Sequence, residues 1–488
     1  MPPAAAAADL YREIRPPLSE EEAVLEASRC LECGRGGREG RGRPAPCIAA
    51  CPTHIDIPKF IREIREGRPL DAAETIFEAN ALGGTCARVC PVEELCEGAC
   101  VLVHEGRRAV AIGRLQRYAT DRAFAEKAVV HPLRKKPKNP LSVGVIGAGP
   151  AGLACAAELA QLGHEVTVYE AREGPGGLVV TAVAPYKQMI DPLPQEVEAI
   201  RRLGVHFEFH TRIGEDVPRA ELERRHEALF LGVGLDGDVR PRLGDEEETA
   251  RALSLEGVWL SLAFIERVKA KSPPPLGPRV VIVGGGNTAI DCAREAVRLG
   301  APHVTVLYRR TEAEMPAFRH EVEAAREEGV RFEWLTLPVK LLGDVHVEAV
   351  ECVRTRLVKD PKDGRPRPEI VEGTEFTIPA DTVIWAIGQR PRTDLLQALG
   401  VELENGVVKV DEHFRTSHPG IFAGGDCING GGTVVEAVEH GKRAARAIDA
   451  LVKPRSRRSR SRPARRGPAP PVKTNPRGTR GGERREGR

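Results

Sequence analysis

The chain has no apolar run long enough to cross a membrane. Its most apolar stretch, Val143 to Leu162, is broken by Glu158 and Gln161 and contains a glycine loop. A strand, a turn and a helix account for it better than a span. An apolar signal core is also missing, and the start, MPPAAAAADLYREIRPPLSEEEA, is too acidic for a transit peptide. Cytoplasmic residence is the expectation that follows. In that compartment thiols stay reduced, so twelve cysteines point to metal or redox chemistry rather than to a disulfide framework. Net charge is close to absent as well, at +2. That average hides a split. Residues 453–488 carry 14 Lys and Arg against 2 Asp and Glu, which leaves 1–452 at −10. The tail lacks apolar periodicity and is expected to be disordered. An internal segment, GRGGREGRGRPAP (34–46), shares its composition, so the tail reads more readily as a solvated extension than as an RNA-binding arm.

What is present is organised in blocks. At 488 residues the chain is too long for one core, and about three domains are expected. Residues 1–140 look helical: SEEEAVLEA, DIPKFIREI and DAAETIFEANAL each space apolar residues by three and four. HPLRKKPKNP (131–140) looks like a linker. From 141 the texture changes. VGVIGAG runs a short apolar strand into glycines, then come the helix-like GLACAAELAQLG and a second strand, EVTVYEA; RVVIVGGG (279–286) repeats the design. Strands alternating with helices imply parallel sheets, so each copy opens a doubly wound α/β domain.

Eight of the twelve cysteines lie in the helical block. They run Cys30-x2-Cys33-x13-Cys47-x3-Cys51-Pro52, then Cys86-x3-Cys90-Pro91-x4-Cys96-x3-Cys100. Cysteine runs with a proline directly after a cysteine occur in ferredoxin-like [4Fe–4S] sites, where one cysteine of a run often serves the other cluster. Eight thiols suit two clusters. Structural zinc usually takes CxxC pairs, and Cys30–Cys33 is the only such pair here. Cys155, Cys292, Cys352 and Cys427 read as inert buried thiols.

Gly147-Ala148-Gly149-Pro150-Ala151-Gly152 follows a strand and opens a helix. Its glycines serve the tight turn, the approach of backbone to a pyrophosphate and the packing of helix on strand, with the helix N-terminus facing the anion. Glu170, 23 residues after Gly147, is placed to bind a ribose hydroxyl pair. The second copy, Gly284-Gly285-Gly286-Asn287-Thr288-Ala289, leads instead to Tyr308-Arg309-Arg310. An acid there would repel a 2′-phosphate and a guanidinium pair would clamp one, which favours NADPH over NADH. Two sites in one chain suggest a tightly held flavin and an exchangeable nicotinamide. Asp426, ending Ile421-Phe422-Ala423-Gly424-Gly425-Asp426, can turn its carboxylate to a ribityl chain. The helix expected after Gly432-Thr433-Val434 can stabilise negative charge on reduced flavin.

Together the eight-cysteine front, GAGPAG, GGGNTAIDC, VLYRRTEAEMP, AIGQRP and GIFAGGDC resemble the small subunit of NADPH-dependent glutamate synthase. They are equally similar to the amino-terminal half of dihydropyrimidine dehydrogenase and its bacterial small-subunit counterparts. The resemblance covers about 20–450. It implies an α-helical iron–sulfur domain (1–140) followed by two Rossmann-like domains of α/β class. An FAD domain (141–250 and 388–452) would be interrupted by an NADPH domain (251–387), with a basic tail after it. For FAD it implies Gly147, Ala148, Gly149, Pro150, Ala151, Glu170, Gly177, Leu178, Lys187, Asp426, Gly432, Thr433 and Val434. For NADPH it implies Gly285, Gly286, Asn287, Thr288, Arg309, Arg310, Ala386, Ile387 and Gly388. One [4Fe–4S] cluster would take Cys30, Cys33, Cys47 and Cys100, and the other Cys51, Cys90 and Cys96. In the dihydropyrimidine dehydrogenase scheme Gln116 is the fourth ligand of the second cluster and Cys86 is spare. The 34–46 segment is an insertion against the family, and VVTAVAPYK after Gly177-Leu178 departs from its usual pattern.

The chemistry expected is electron transfer. NADPH gives two electrons at once and clusters accept one at a time, so FAD would join the two regimes, the cofactors carrying the chemistry and the protein positioning them. No catalytic triad is expected. The sequence shows no further globular region after about 450, so a larger partner subunit with its own flavin site is expected to hold the terminal acceptor. An electron-bifurcating NADPH:ferredoxin subunit is one alternative reading. A non-catalytic iron–sulfur or RNA-binding protein is another. A flavin disulfide reductase is disfavoured because the lone CxxC lies in the cysteine-rich front.

Overall fold

The computed structural model describes residues 11–34, 44–128, 140–235, 237–359 and 366–451. Almost all of the expected linker, most of the 34–46 insertion and the basic tail lie outside the described residues.

The front of the chain is helical: α1 (Glu20–Ala27), α2 (Pro46–Ala50), α3 (Ile57–Arg65), α4 (Pro69–Ala79), α5 (Gly83–Val89), α6 (Val101–His104) and α7 (Ile112–Ala125). Ser19 starts α1 through a reciprocal capping box with Glu22. The Asp56 carboxylate accepts the Lys59 amide, and Pro58 sits in the first turn, so α3 begins where it does. Ile57, Phe60, Ile61 and Ile64 share one face of α3 and pack with Ile76 and Phe77 of α4 and Leu115 of α7.

Beyond residue 140 the strands are β1 (Ser142–Ile146), β2 (Glu165–Tyr169), β3 (His206–Glu208) and β4 (Ala228–Leu231). Then follow β5 (Val258–Leu260), β6 (Arg279–Val283), β7 (His303–Tyr308), β8 (Arg331–Trp334), β9 (Thr336–Leu342), β10 (Ala349–Lys359), β11 (Pro366–Ile370), β12 (Phe376–Pro379) and β13 (Thr382–Trp385). A short hairpin, β14 (Leu403–Glu404) and β15 (Val407–Val408), precedes β16 (Ile421–Ala423). One parallel sheet has the order β16-β4-β1-β2-β3 and the other β5-β13-β6-β7-β8. Because the whole second sheet lies between β4 and β16 of the first, one α/β unit is threaded into the other. The two connecting segments pair with each other, Val239 N–H donating to Gly388 O at 2.8 Å and Arg390 N–H to Gly237 O at 2.9 Å. A four-stranded antiparallel sheet, with β10 between β11 and β12 and also paired to β9, follows β8. The motif pattern gave no sign of it. No helix of the described residues is long and apolar enough to cross a membrane.

The helices that matter to the site are α8 (Pro150–Gln161), α9 (Leu178–Thr181), α10 (Leu193–Arg201), α11 (Asn287–Arg298), α12 (Arg319–Glu327) and α13 (Val434–Asp449). Helix α13 lies against α8 at Gly441, where a Cβ would collide with the Ala151 backbone oxygen. The next residue, Lys442, is buried and reaches the helical front, donating to Ala79 O at 2.6 Å and Thr53 O at 3.4 Å while pairing with Glu439 at 3.1 Å. Glu196 of α10 grips the start of α5. Its carboxylate accepts from Gly84 N at 2.7 Å, Thr85 N at 3.1 Å and the Thr85 hydroxyl at 2.5 Å. Burial nevertheless pushes its pKa up to about 7. These bonds join the helical front to the first sheet.

Gly441→Ala tests the helix contact. In a helix interior Ala normally gains about 1 kcal/mol over Gly, but here overpacking is expected to reverse the sign and cost about 1–3 kcal/mol. Denaturant melts of the two proteins read the difference.

Candidate functional site

The two glycine loops end on a single cleft of about 1040 Å³, at the upper end of ligand-pocket sizes. From the first loop it is lined by Gly147, Gly149, Pro150 and Ala151, with Glu170, Gly177, Leu178 and Lys187 nearby, and from the carboxyl end by Asp426, Gly432, Thr433 and Val434. From the second loop it is lined by Gly286, Asn287 and Thr288, with Gly388. Ala148 sits fully buried behind the first loop. Gly285, Arg309, Arg310, Ala386 and Ile387 stand outside the cleft lining.

Several local features fix the first half. Gly147 turns the chain at φ +98°, where a side chain would be strained and would meet Gly232 O. Glu170 at the end of β2 is held by two backbone donors, Ala148 N at 2.8 Å and Arg172 N at 2.9 Å, so its carboxylate stands beside the loop. Asp426 accepts the Gly432 amide at 3.1 Å, and burial pushes its pKa up to about 6. Thr433 and Glu436 form the capping box that starts α13 at the cleft.

Lys187 bridges the two α/β units. Its Nζ lies 2.7 Å from Asp291 Oδ1 on α11 and 3.1 Å from Glu321 Oε1 on α12. Tyr186 donates to the same Asp291 oxygen at 2.6 Å. Arg294 pairs with Glu321 and Glu328, each at 2.6 Å, and stacks over the Tyr186 ring. Burial works against the Lys187 ammonium, but Asp291 and Glu321 outweigh it and hold its pKa above the usual range. Sequence reasoning missed Asp291, although it lies inside GGGNTAIDC and lines the cleft.

At the end of β7, Arg309 is exposed and Arg310 half-buried. Their carbonyls are taken, by the Thr355 hydroxyl at 2.9 Å and the Leu335 amide at 3.1 Å. Arg310 Nε is buried without a hydrogen-bond partner. A buried guanidinium N–H left open suits an anionic ligand.

The cysteines fall into two groups. Burial pushes the Cys47 thiol up to about 12, and Cys30, Cys100 and Cys33 are near enough to add to it, while Cys96 of the second group in turn feels Cys47. Cys51, Cys86, Cys90 and Cys96 line a small cavity together with Gln116 and Asn80. A hydrogen bond with Cys86, ahead of burial and of the neighbouring thiols, pushes Cys90 well above the usual thiol range. Gln116 commits its amide nitrogen to Gly83 O at 2.7 Å, so of its two polar side-chain atoms only the carbonyl oxygen could serve a metal. Cys86, spare in the ligand scheme that the resemblance implies, shares the cavity with Gln116. Among the described residues no three His, Cys, Asp or Glu side chains converge on one point as a single ion requires. A four-iron cluster makes no such demand, because each iron takes its own ligand. Cys155, Cys292, Cys352 and Cys427 are buried, away from both groups.

The wall between cavity and cleft is thin. Val89 and Pro91 line the cleft while Cys90 between them lines the cavity, and Val434 lines the cleft while Val435 lines the cavity.

Comparison with known proteins gives two family matches. A pyridine nucleotide-disulphide oxidoreductase model matches residues 141–441, and a dihydropyrimidine dehydrogenase domain II, 4Fe-4S cluster model matches 7–128. The glutamate synthase [NADPH] small chain of Escherichia coli K12 is 38% identical over 462 residues, covering 90% of this chain and 93% of that one. The NADPH-Fe(3+) oxidoreductase subunit beta of Geobacter sulfurreducens is 38% identical over 432 residues, covering 83% of this chain and 63% of that one. The structure of Mycobacterium tuberculosis FprA in complex with NADPH shares the fold, with a TM-score of 0.53 at 19% identity over 64% of this chain and 84% of that one.

Proposed function

The chain belongs to the pyridine nucleotide-disulphide oxidoreductase family as an FAD-, NADPH- and [4Fe–4S]-dependent enzyme, and from that premise we propose that it serves as the electron-input subunit of a larger oxidoreductase. Electrons from NADPH leave it through two clusters for a catalytic partner subunit of glutamate synthase or dihydropyrimidine dehydrogenase type. The observation that carries this reading is the shared wall at Val89–Pro91 and Val434–Val435. It puts a thiol cavity directly behind a dinucleotide cleft, as electron transfer between two cofactors requires. When bound, FAD supplies two-electron and one-electron chemistry together, and the clusters supply one-electron chemistry.

The chain's own residues supply position. Gly147 to Ala151 and the start of α8 suit the FAD pyrophosphate, Glu170 its ribose, and Asp426 with Gly432 to Val434 its ribityl and ring end. Gly177, Leu178 and Lys187 suit the face of the flavin toward the second unit. Gly285 to Thr288 suit the NADPH pyrophosphate and Ala386 to Gly388 the segment facing it, while Arg309 and Arg310 suit the 2′-phosphate. Cys30, Cys33, Cys47 and Cys100 suit one cluster. Cys51, Cys90, Cys96 and Gln116 suit the other, with Cys86 a hydrogen-bonding neighbour of Cys90.

The purified chain is expected to hold about eight irons per FAD and to reduce artificial one-electron acceptors with NADPH. It is expected to convert neither glutamine plus 2-oxoglutarate nor uracil until a partner subunit is added. Turnover of either substrate by the chain alone would count against a separate partner. Replacing Arg309 and Arg310 together with Ala should raise KM for NADPH by roughly tenfold or more, since hydrogen bonds to charged groups are worth about 1.5–3 kcal/mol. Activity with NADH should be nearly unchanged. Steady-state kinetics with both nucleotides check this.

A further inference from the structure

Asn80 follows α4 and lines the same cavity as Cys51, Cys86, Cys90, Cys96 and Gln116. It is 0% exposed. Its backbone amide donates to Ile76 O at 2.9 Å, and its Oδ1 accepts the Leu82 amide at 2.9 Å. That second bond fixes the orientation of the side chain, because only the carbonyl end of the amide can accept from an N–H. The other end is therefore the NH₂ group, and its Nδ2 is buried with no hydrogen-bond partner. A buried donor left open is costly and calls for an explanation. Gln116, the other amide in the cavity, commits its nitrogen to Gly83 O. Asn80 thus brings to the cavity an uncommitted N–H donor, held rigid by its own bond to the start of α5.

We propose that Asn80 Nδ2 donates a hydrogen bond to a sulfur of the iron–sulfur cluster at this cavity and thereby raises that cluster's reduction potential. The inference rests on the functional reading above, which places a cluster there. Hydrogen bonds to the sulfurs are among the determinants of cluster potential. Reduction adds negative charge to the cluster, so an N–H dipole aimed at sulfur stabilises the reduced form more than the oxidised form. Asn80 is then a positioning residue whose task is to make this cluster a better acceptor from the cleft next to it. The cap on Leu82 is a structural duty of the same side chain, and it uses the opposite end of the amide.

The test uses the full chain with its cofactors. In an EPR-monitored redox titration, Asn80→Leu should shift the reduction equilibrium of the second cluster by about tenfold toward the oxidised form, about 59 mV for a one-electron couple. The first cluster should not move. Asn80→Asp, which keeps the acceptor for Leu82 but loses the donor, should shift in the same direction. Independently of any variant, wild-type protein labelled with ¹⁵N-asparagine should show a weak nitrogen hyperfine coupling to the reduced second cluster by pulsed EPR. If a variant fails to assemble, that labelled wild-type measurement decides alone. An unchanged potential with a full iron count, or no asparagine coupling, overturns the proposal, as it would if Nδ2 merely bonded a water. A wild-type chain with only four irons and a single cluster would instead overturn the functional reading on which the proposal rests.

Discussion

Helix α13 packs through Gly441 onto the backbone of Ala151, at the first turn of α8. Much of the site follows from that contact. It fixes where the first turn of α13 falls, so that Val434 faces the dinucleotide cleft and Val435 the cysteine cavity. One residue later along the same helix, Lys442 reaches the carbonyls of Thr53 and Ala79 in the helical front. A single element therefore serves as a wall of the cleft, a wall of the cavity and an inter-domain tie. Glu196 reinforces the joint from the other side by holding the start of α5, the helix that carries Cys86 and leads into Cys90. Tight packing of this kind leaves little room for the cleft and the cavity to move apart.

The junction between the two α/β units is built differently. There the joint is a buried charge network in which Lys187 meets Asp291 and Glu321, and Arg294 meets Glu321 and Glu328. Such a network gains little net stability over an apolar contact but is costly to leave half-formed. It therefore favours one registered arrangement in which the second glycine loop faces the first across the cleft.

What was legible in the sequence was whatever depends on local spacing. The glycine loops, the strands before them, Glu170 at the end of β2 and the helical periods of α1, α3 and α4 all follow from residues close together in the chain. The insertion of one α/β unit into the other came from resemblance rather than from spacing, since nothing local says that β16 returns to pair with β4. The grouping of Cys100 with Cys30, Cys33 and Cys47 likewise rests on the family pattern, because Cys100 is remote from the others in sequence. The site features that escaped were all tertiary. Cys86 and Asn80 line the cavity because α5 is held by Glu196 and α4 ends against it, whereas Asp291 lines the cleft, where Lys187 of the other unit meets it. The β9–β12 sheet was missed because no short motif marks it.

The cavity at Cys51, Cys90 and Cys96 shares a wall with the cleft, so electrons leaving the cleft are expected to reach the proposed cluster at Cys30, Cys33, Cys47 and Cys100 by way of that cavity. That route is decided by freeze-quench EPR of a Cys90→Ser chain mixed anaerobically with NADPH, with wild type as the reference. Flavin should still be reduced, while the cluster proposed at Cys30, Cys33, Cys47 and Cys100 should stay oxidised on the timescale of its reduction in wild type. Reduction of that cluster at the wild-type rate, in a chain shown to lack the second cluster, would contradict it.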